Sequence, residues 1–261
     1  MNIHFKDKEL FEALWDSTLY SVRVGSHLYG LDTELSDTDI LCIYYPHKLQ
    51  MNSCFNNHHQ LQYKDIEKNI DFIFVDIITF IRNLVSGDST INFELINSKE
   101  LLSEMEDNLL KSLYDIRKEF QTFTVIRAYL GLARGDLKSL SKEKTPHIKW
   151  KKQCHIVRGR CIAKDMLESG VVPLNFSHLK DRWKNLDFDY GYNSNGINDI
   201  RDKLKERLNK GEITRYLTVE TQMKVDELVQ KELEEFTEYQ LQVNPMFLFY
   251  PLNENNNIQY D

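Results

Sequence analysis

The chain has 261 residues, of which 41% are hydrophobic and 28% charged, with only 10 glycines and 5 prolines. This is the composition of a globular protein, and it excludes collagen-like and intrinsically disordered chains. The net charge of −7 argues against a uniformly basic nucleic-acid-binding protein, although it leaves room for a local basic patch.

The sequence shows no pattern typical of a membrane helix or a secretory signal. The most apolar stretch, residues 70–85, contains Asp71, Asp76 and Arg82. It therefore falls short of the ~18 uninterrupted apolar residues that a membrane helix needs. The N-terminal residues contain no apolar core of a signal peptide. We expect a cytoplasmic protein with no membrane partner.

The cysteines do not form a recognisable framework. They are Cys42, Cys54, Cys154 and Cys161, and no two of them make a C-x-x-C pair. We therefore expect reduced, buried thiols rather than disulfides or a zinc site.

Predicted strands alternate with helices and turns in the first part of the chain. The strands are predicted at residues 19–24, 39–45, 61–63 and 70–75. The helices of this part are predicted at residues 1–20, 77–85 and 94–112. Residues 27–36 are turn-like, and the polar segment 47–69 predicts a loop around the short third strand.

From about residue 115 the strand patterns end and helical spacing dominates. The helices are predicted at residues 115–137, 149–169, 198–210 and 219–240. Segments rich in Gly, Asn or Pro, at 170–173 and 191–196, are predicted to connect them. The sequence therefore predicts an α+β protein with a mixed first domain, 1–112, and a helical second domain, 113–261.

Small and acidic residues follow or begin the predicted strands. Gly25 and Ser26 come after the first strand, and ten residues later the chain has Asp37-Thr38-Asp39. Asp37 and Asp39 share one face because side chains alternate along a strand. Two carboxylates so placed repel each other unless a cation lies between them, and oxygen ligands suit Mg²⁺ bound to a phosphate substrate. Gly25 leaves room for a phosphate, and Ser26 offers its hydroxyl and N–H.

A third carboxylate at the start of a further strand completes a candidate metal site. Asp71 opens the strand at 70–75, and by the same alternation Asp76 lies on the other face. Three carboxylates can hold two metal ions that bind the attacking and leaving oxygens of an in-line displacement. Asp71 is also the expected acceptor of the proton of an attacking hydroxyl.

These motifs resemble those of a known superfamily. The pattern G-S-x10-D-x-D, from Gly25 to Asp39, is similar to the signature of DNA polymerase β-type nucleotidyltransferases. The longer strings GSHLYGL, from Gly25, and SDTD, from Ser36, most resemble the stand-alone predicted nucleotidyltransferases associated with RNA repair. The similarity extends to the segment that follows Asp71 and to a K-x-x-H-x-x-R element at 152–158.

The resemblance implies a fold and a reaction. The implied fold is a mixed sheet with flanking helices, followed by a helical domain, and the implied reaction moves a nucleoside monophosphate from an NTP, expected to be ATP, to a hydroxyl. Gly25 and Ser26 would hold the β- and γ-phosphates. Asp37 and Asp39 would bind the nucleotide-bound Mg²⁺ or both ions, and Asp71 the catalytic one. Pyrophosphate would leave.

Basic residues concentrate in the second part. Nine Lys and Arg residues lie between 138 and 164, against one acidic residue, Glu143. Lys152, His155 and Arg158 are spaced for one helix face, which could bind a triphosphate or an RNA backbone or could simply be solvated. We predict these three residues, together with His27, as nucleotide-binding residues.

Two other residues have more than one interpretation. Tyr29 is a candidate to shape the nucleotide pocket, but a tyrosine is equally a packing residue. Glu94 is interpreted as a charge at a helix N-terminus rather than a metal ligand.

The acceptor of the reaction stays open at this point. RNA, either tRNA or a 3′ end, is favoured by the basic stretch and the resemblance. A protein hydroxyl is favoured by the net charge of −7. The further alternatives are antibiotic modification and a degenerate fold that binds a nucleotide or a partner protein without turnover.

Overall fold

A mixed sheet forms the first part of the protein. The computed structural model describes residues 2–34, 36–46, 60–87, 89–98, 109–177, 188–243 and 259–260. The four central strands are β2 (Thr18–Val24), β3 (Thr38–Tyr44), β4 (Gln60–Asp65) and β5 (Ile70–Asp76). Their order is β2-β3-β5-β4; β3 and β5 are parallel, and the two outer pairs are antiparallel. The predicted mixed sheet is confirmed.

Two short strands extend the sheet beyond β4. The strand β1 (Asn2–Phe5) pairs in parallel with β4, and β6 (Gln259–Tyr260) pairs antiparallel with β1. The prediction of one helix over 1–20 is therefore wrong. The helix α1 (Lys8–Asp16) begins only after Asp7, whose carboxylate accepts hydrogen bonds from the N–H groups of Glu9 and Leu10.

Aromatic side chains join α1 to the sheet. Phe11 lies with its ring 4.5 Å from that of Tyr63 and 5.0 Å from that of Phe72, between ring centroids. Leu14 and Phe74 belong to the same core cluster. Each such buried side chain contributes about 1.5–3 kcal/mol by leaving water, so this face of the sheet is fixed by apolar packing.

Helices follow the last central strand. They are α2 (Ile77–Ser86), α3 (Thr90–Asn97), α4 (Leu109–Asp115), α5 (Phe123–Leu140), α6 (Pro146–Ser169), α7 (Tyr190–Asn209) and α8 (Val219–Val243). A 3-10 turn, Arg117–Phe120, precedes α5. On α6, a Cβ at Gly159 would lie 3.1 Å from the carbonyl oxygen of Tyr129, so the missing side chain lets α6 approach α5 closely. The predicted helical second part is confirmed.

Three predicted helix boundaries are wrong. The segment 191–196 is no connection but the first turns of α7, because the Asp189 carboxylate accepts from the N–H of Tyr192 at 2.8 Å and caps the helix. The helix predicted at 115–137 begins only at Phe123, after the 3-10 turn. The helix predicted at 94–112 is not one element: α3 begins earlier, at Thr90, and ends at Asn97, and α4 begins at Leu109.

Three cysteines occur as free thiols. Cys42 and Cys154 are buried, and burial raises the pKa of each to about 12, so both stay protonated and unreactive. Cys161 is half-buried, and Cys54 lies outside the described residues.

Backbone contacts group the chain into two compact units. The first comprises residues 1–28, 32–82 and 229–261, and the second comprises 29–31 and 83–228. The predicted domain boundary between residues 112 and 113 stays a prediction. Within the described residues, no helix is long and apolar enough to cross a membrane.

Candidate active site

Three aspartates meet at one edge of the central strands. Asp37 precedes β3, Asp39 lies within β3, and Asp71 lies beside Asp39 in the parallel register of β3 and β5. One carboxylate oxygen from each lies within 4.8 Å of those of the other two, and all three residues are half-buried. The structure thus brings together the three aspartates predicted from the sequence, one just before β3, one in β3 and one in the neighbouring β5.

Gly25 touches this group. Its φ of +66° is in the left-handed region that favours glycine, and a Cβ there would lie 2.3 Å from Oδ2 of Asp39. From the sequence, this glycine is predicted to leave room for a phosphate. The structure adds a second requirement, since only a glycine leaves room for the Asp39 carboxylate.

Lys64 provides a positive charge beside the triad. It lies opposite Asp71 in the antiparallel pairing of β4 and β5. Its Nζ is 3.1 Å from Oδ1 and 3.2 Å from Oδ2 of Asp71, and only the contact to Oδ2 has hydrogen-bond geometry. Sequence reasoning missed Lys64 because the short strand predicted at 61–63 ends before it and gives no pairing partner.

The first residue of β3 is held by contacts with two neighbouring turns. The N–H of Thr38 donates to the carbonyl of Asn69 at 3.1 Å, and the Thr38 hydroxyl lies 3.5 Å from Nε2 of His27. Ser26 and His27 lie in the turn that follows β2, and both are half-buried. Their predicted contact with phosphates stays a prediction.

The sequence and this geometry agree with one protein family. The pattern of the family RlaP, described as the RNA repair pathway DNA polymerase beta family, matches residues 5–245. The chain belongs to this family. The comparison with curated proteins found no match. Membership in the RlaP family makes the chain a polymerase β-type nucleotidyltransferase homologue linked to RNA repair, and the triad is consistent with a catalytic site of that class.

The donor set fits the metal ions expected for the RlaP family. All three ligands are carboxylates, which are the groups that Mg²⁺ prefers in proteins. Oδ1 of Asp71 is inaccessible to solvent and, among the described residues, makes no hydrogen bond. A cation bound at the triad would compete for this oxygen with the Lys64 ammonium, whose Nζ is 3.1 Å away.

The K-x-x-H-x-x-R element lies on α6, where each residue contacts a protein group. Lys152 pairs with Glu143 at 3.1 Å, and Nδ1 of His155 lies 3.2 Å from the Asp136 carboxylate. Burial and the neighbouring Arg158 lower the pKa of His155, against the opposing effect of Asp136. The predicted nucleotide-binding role of Lys152, His155 and Arg158 stays a prediction.

Arg158 belongs to a buried cluster. Its guanidinium carbon lies 3.7 Å from the centroid of the Tyr29 ring, and the Tyr29 hydroxyl donates to the carboxylate of Glu94. Burial raises the pKa of Glu94, and Arg158 opposes that shift; burial and Glu94 also raise the pKa values of Tyr29 and Tyr129. Tyr29 therefore packs inside the protein.

The interpretation of Glu94 as a charge at a helix N-terminus is wrong. Glu94 lies in the middle of α3 and is only 1% exposed. The helix instead begins after Ser89, whose hydroxyl accepts from the N–H of Asn92. The partners Tyr29 and Arg158 are 65 and 64 residues away, so local sequence patterns could not reveal them.

Proposed function

We propose that the protein is a Mg²⁺-dependent nucleotidyltransferase that moves a nucleoside monophosphate from an NTP, with ATP the expected nucleotide, to a hydroxyl of RNA. The acceptor is a tRNA or another RNA 3′ end. The observation that carries this proposal is the triad of carboxylate oxygens within 4.8 Å, in a chain that matches the RlaP family over residues 5–245.

The residues divide the chemistry between them. Asp37 and Asp39 would hold the nucleotide-bound Mg²⁺, and Asp71 would complete the site for a second ion. Bound Mg²⁺ offsets negative charge on the phosphates and makes the acceptor hydroxyl more acidic. Gly25 and Ser26 offer backbone N–H and hydroxyl groups to the β- and γ-phosphates.

The bond changes follow from this placement. The acceptor hydroxyl oxygen bonds to the α-phosphorus and gives its proton to the Asp71 carboxylate. The bond between the α-phosphorus and the oxygen that bridges to the β-phosphate breaks, and pyrophosphate leaves with the electron pair. Lys64 lies beside this carboxylate, with its Nζ 3.1 Å from Oδ1 of Asp71.

The family description supports RNA as the acceptor, and the net charge of −7 supports a protein hydroxyl as the second candidate. One labelling experiment separates them. Purified protein is incubated with Mg²⁺, cell extract and each α-³²P-labelled NTP in turn, and the products are treated with RNase or protease. We expect RNase-sensitive label; protease-sensitive label would replace RNA with a protein acceptor.

Two variants tie the label to the triad. The double variant Asp37→Asn/Asp39→Asn keeps the side-chain shapes and removes both charges, so it should give no product. Asp65→Asn, at the end of β4 and outside the triad, removes one charge nearby and should label like the wild type. Equal labelling by the double variant, or no label from the wild type with any NTP, would overturn the proposal.

A further inference from the structure

Five exposed lysines surround the connection between α5 and α6. Lys138 lies in the last turn of α5, Lys142 and Lys144 lie in the connecting loop, and Lys149 and Lys151 lie in the first two turns of α6. None of them forms an ion pair with any residue that the structure describes. We refer to these five residues as the lysine corner.

The lysine corner carries five positive charges that no acidic residue in the described part of the chain neutralises. Glu143, the acidic residue within this stretch, is already paired with Lys152 at 3.1 Å. His155 faces Asp136, and Arg158 stacks on Tyr29. The lysines of the corner are therefore available to an anionic partner.

Two aromatic rings lie within the same short segment. His147 is exposed and Trp150 is half-buried, with ring centroids 6.2 Å apart and planes inclined by 30°. Nε1 of Trp150 is inaccessible to solvent and has no hydrogen-bond partner in the described part of the chain. Lysines that follow a phosphate backbone, next to aromatic rings on which bases stack, are typical of single-strand binding surfaces.

We propose that the lysine corner binds the phosphodiester backbone of single-stranded RNA, with His147 and Trp150 as the surface on which a base stacks. The choice of RNA rests on the proposed function, since that reaction needs an RNA acceptor. The binding itself needs neither an NTP nor the aspartate triad, so it can be measured separately from catalysis.

The expected effect follows from counterion release. Each lysine–phosphate contact to a single strand changes the slope of log K against log [salt] by about 0.7. Losing three contacts should therefore lower the slope by about 2 and weaken binding about 50-fold near 0.15 M salt. The stacking contribution is smaller: His147→Ala should cost about 5-fold in affinity, with little change in the slope.

The test measures fluorescence anisotropy of a labelled single-stranded RNA of about 16 nucleotides, without NTP, over a series of salt concentrations. The variant Lys142→Gln/Lys144→Gln/Lys149→Gln removes three charges of the corner. Its matched control, Lys203→Gln/Lys205→Gln/Lys210→Gln, removes three charges from lysines that are ion-paired with Glu168, Asp202 and Glu206. Circular dichroism checks that both variants fold.

We expect the corner variant to lose affinity and salt dependence and the control variant to keep both. Equal losses in the two variants, unchanged binding by the corner variant, or no RNA binding by the wild type would overturn the proposal. Asp37→Asn/Asp39→Asn should bind RNA like the wild type. If the wild-type protein binds RNA, the corner variant loses that binding and the wild type transfers no nucleotide, the result would support the lysine corner while refuting the proposed reaction.

Discussion

Substitution of Gly25 tests how the triad is built. A Cβ at Gly25 would lie 2.3 Å from Oδ2 of Asp39, whereas ordinary contacts begin at 3.4 Å. In Gly25→Ala the carboxylate or the turn must therefore move by about 1.1 Å, and displacements of about 1 Å in an active site cost about 100-fold in rate. The positive φ of +66° adds a strain of about 1–2 kcal/mol to the folded state.

Two measurements separate these effects. Isothermal titration with Mn²⁺, which prefers carboxylate ligands as Mg²⁺ does, should show binding to Gly25→Ala at least about 10-fold weaker than to the wild type. Thermal unfolding should show Tm lowered by about 5 °C. The matched control is Gly211→Ala, because Gly211 has a φ of +71° but nothing within 4 Å of the added Cβ.

Gly211→Ala should lose a similar amount of thermal stability and keep Mn²⁺ affinity. Gly25→Ala should lose both, together with about 100-fold in nucleotide transfer if the proposed reaction is correct. The precision of this comparison is about twofold. If Gly25→Ala and Gly211→Ala bound Mn²⁺ with affinities within twofold of each other, the contact between position 25 and Asp39 would be refuted as a determinant of the site.

Two further predictions concern charges near and away from the triad. Lys64→Met removes the positive charge beside Asp71. Because that charge competes with a cation and is partly exposed, titrations should show Mn²⁺ binding about 3-fold more tightly to the variant. Weaker binding would contradict this prediction. Burial holds the pKa of the Glu94 carboxyl above its ordinary value. The contribution of the protonated Glu94 to the free energy of unfolding is therefore complete below the unfolded pKa of about 4.3, and it is lost as pH rises through the folded pKa. Urea unfolding at several pH values should show this decline in the wild type and a flatter profile in Glu94→Gln; parallel profiles would show that Glu94 does not titrate differently on folding.

The candidate triad could be predicted because its signals are local. Asp37 and Asp39 are two residues apart at the start of one predicted strand, and Asp71 opens the next strong β-favouring run, so alternation placed the three carboxylates on one face; in the structure Asp37 lies just before β3. The presence of helices in the α5–α6 region could also be predicted, since helical spacing persists over long segments there.

The features that were missed depend on pairing and packing between separate elements. The strand β1 forms by pairing with β4 and β6, and no periodicity in four residues shows that pairing. Lys64 gains its meaning from its position opposite Asp71, and Glu94 gains its meaning from Tyr29 and Arg158. Lys64 and Asp71 are seven residues apart, but their contact depends on the register of β4 against β5, and the partner Tyr29 lies 65 residues from Glu94. Neither contact leaves a local sequence pattern.

The register of β3 and β5 links chemistry to the fidelity of folding. Asp39 lies beside Asp71 on one face of the sheet, whereas Phe72 and Phe74 point to the other face and pack in the core with α1. A slip by one residue would expose the phenylalanines and separate the carboxylates in a single step. A chain that binds a divalent cation at the triad has therefore also paired its central strands correctly, and cation binding can be used as a reporter of native strand pairing in refolding and expression trials.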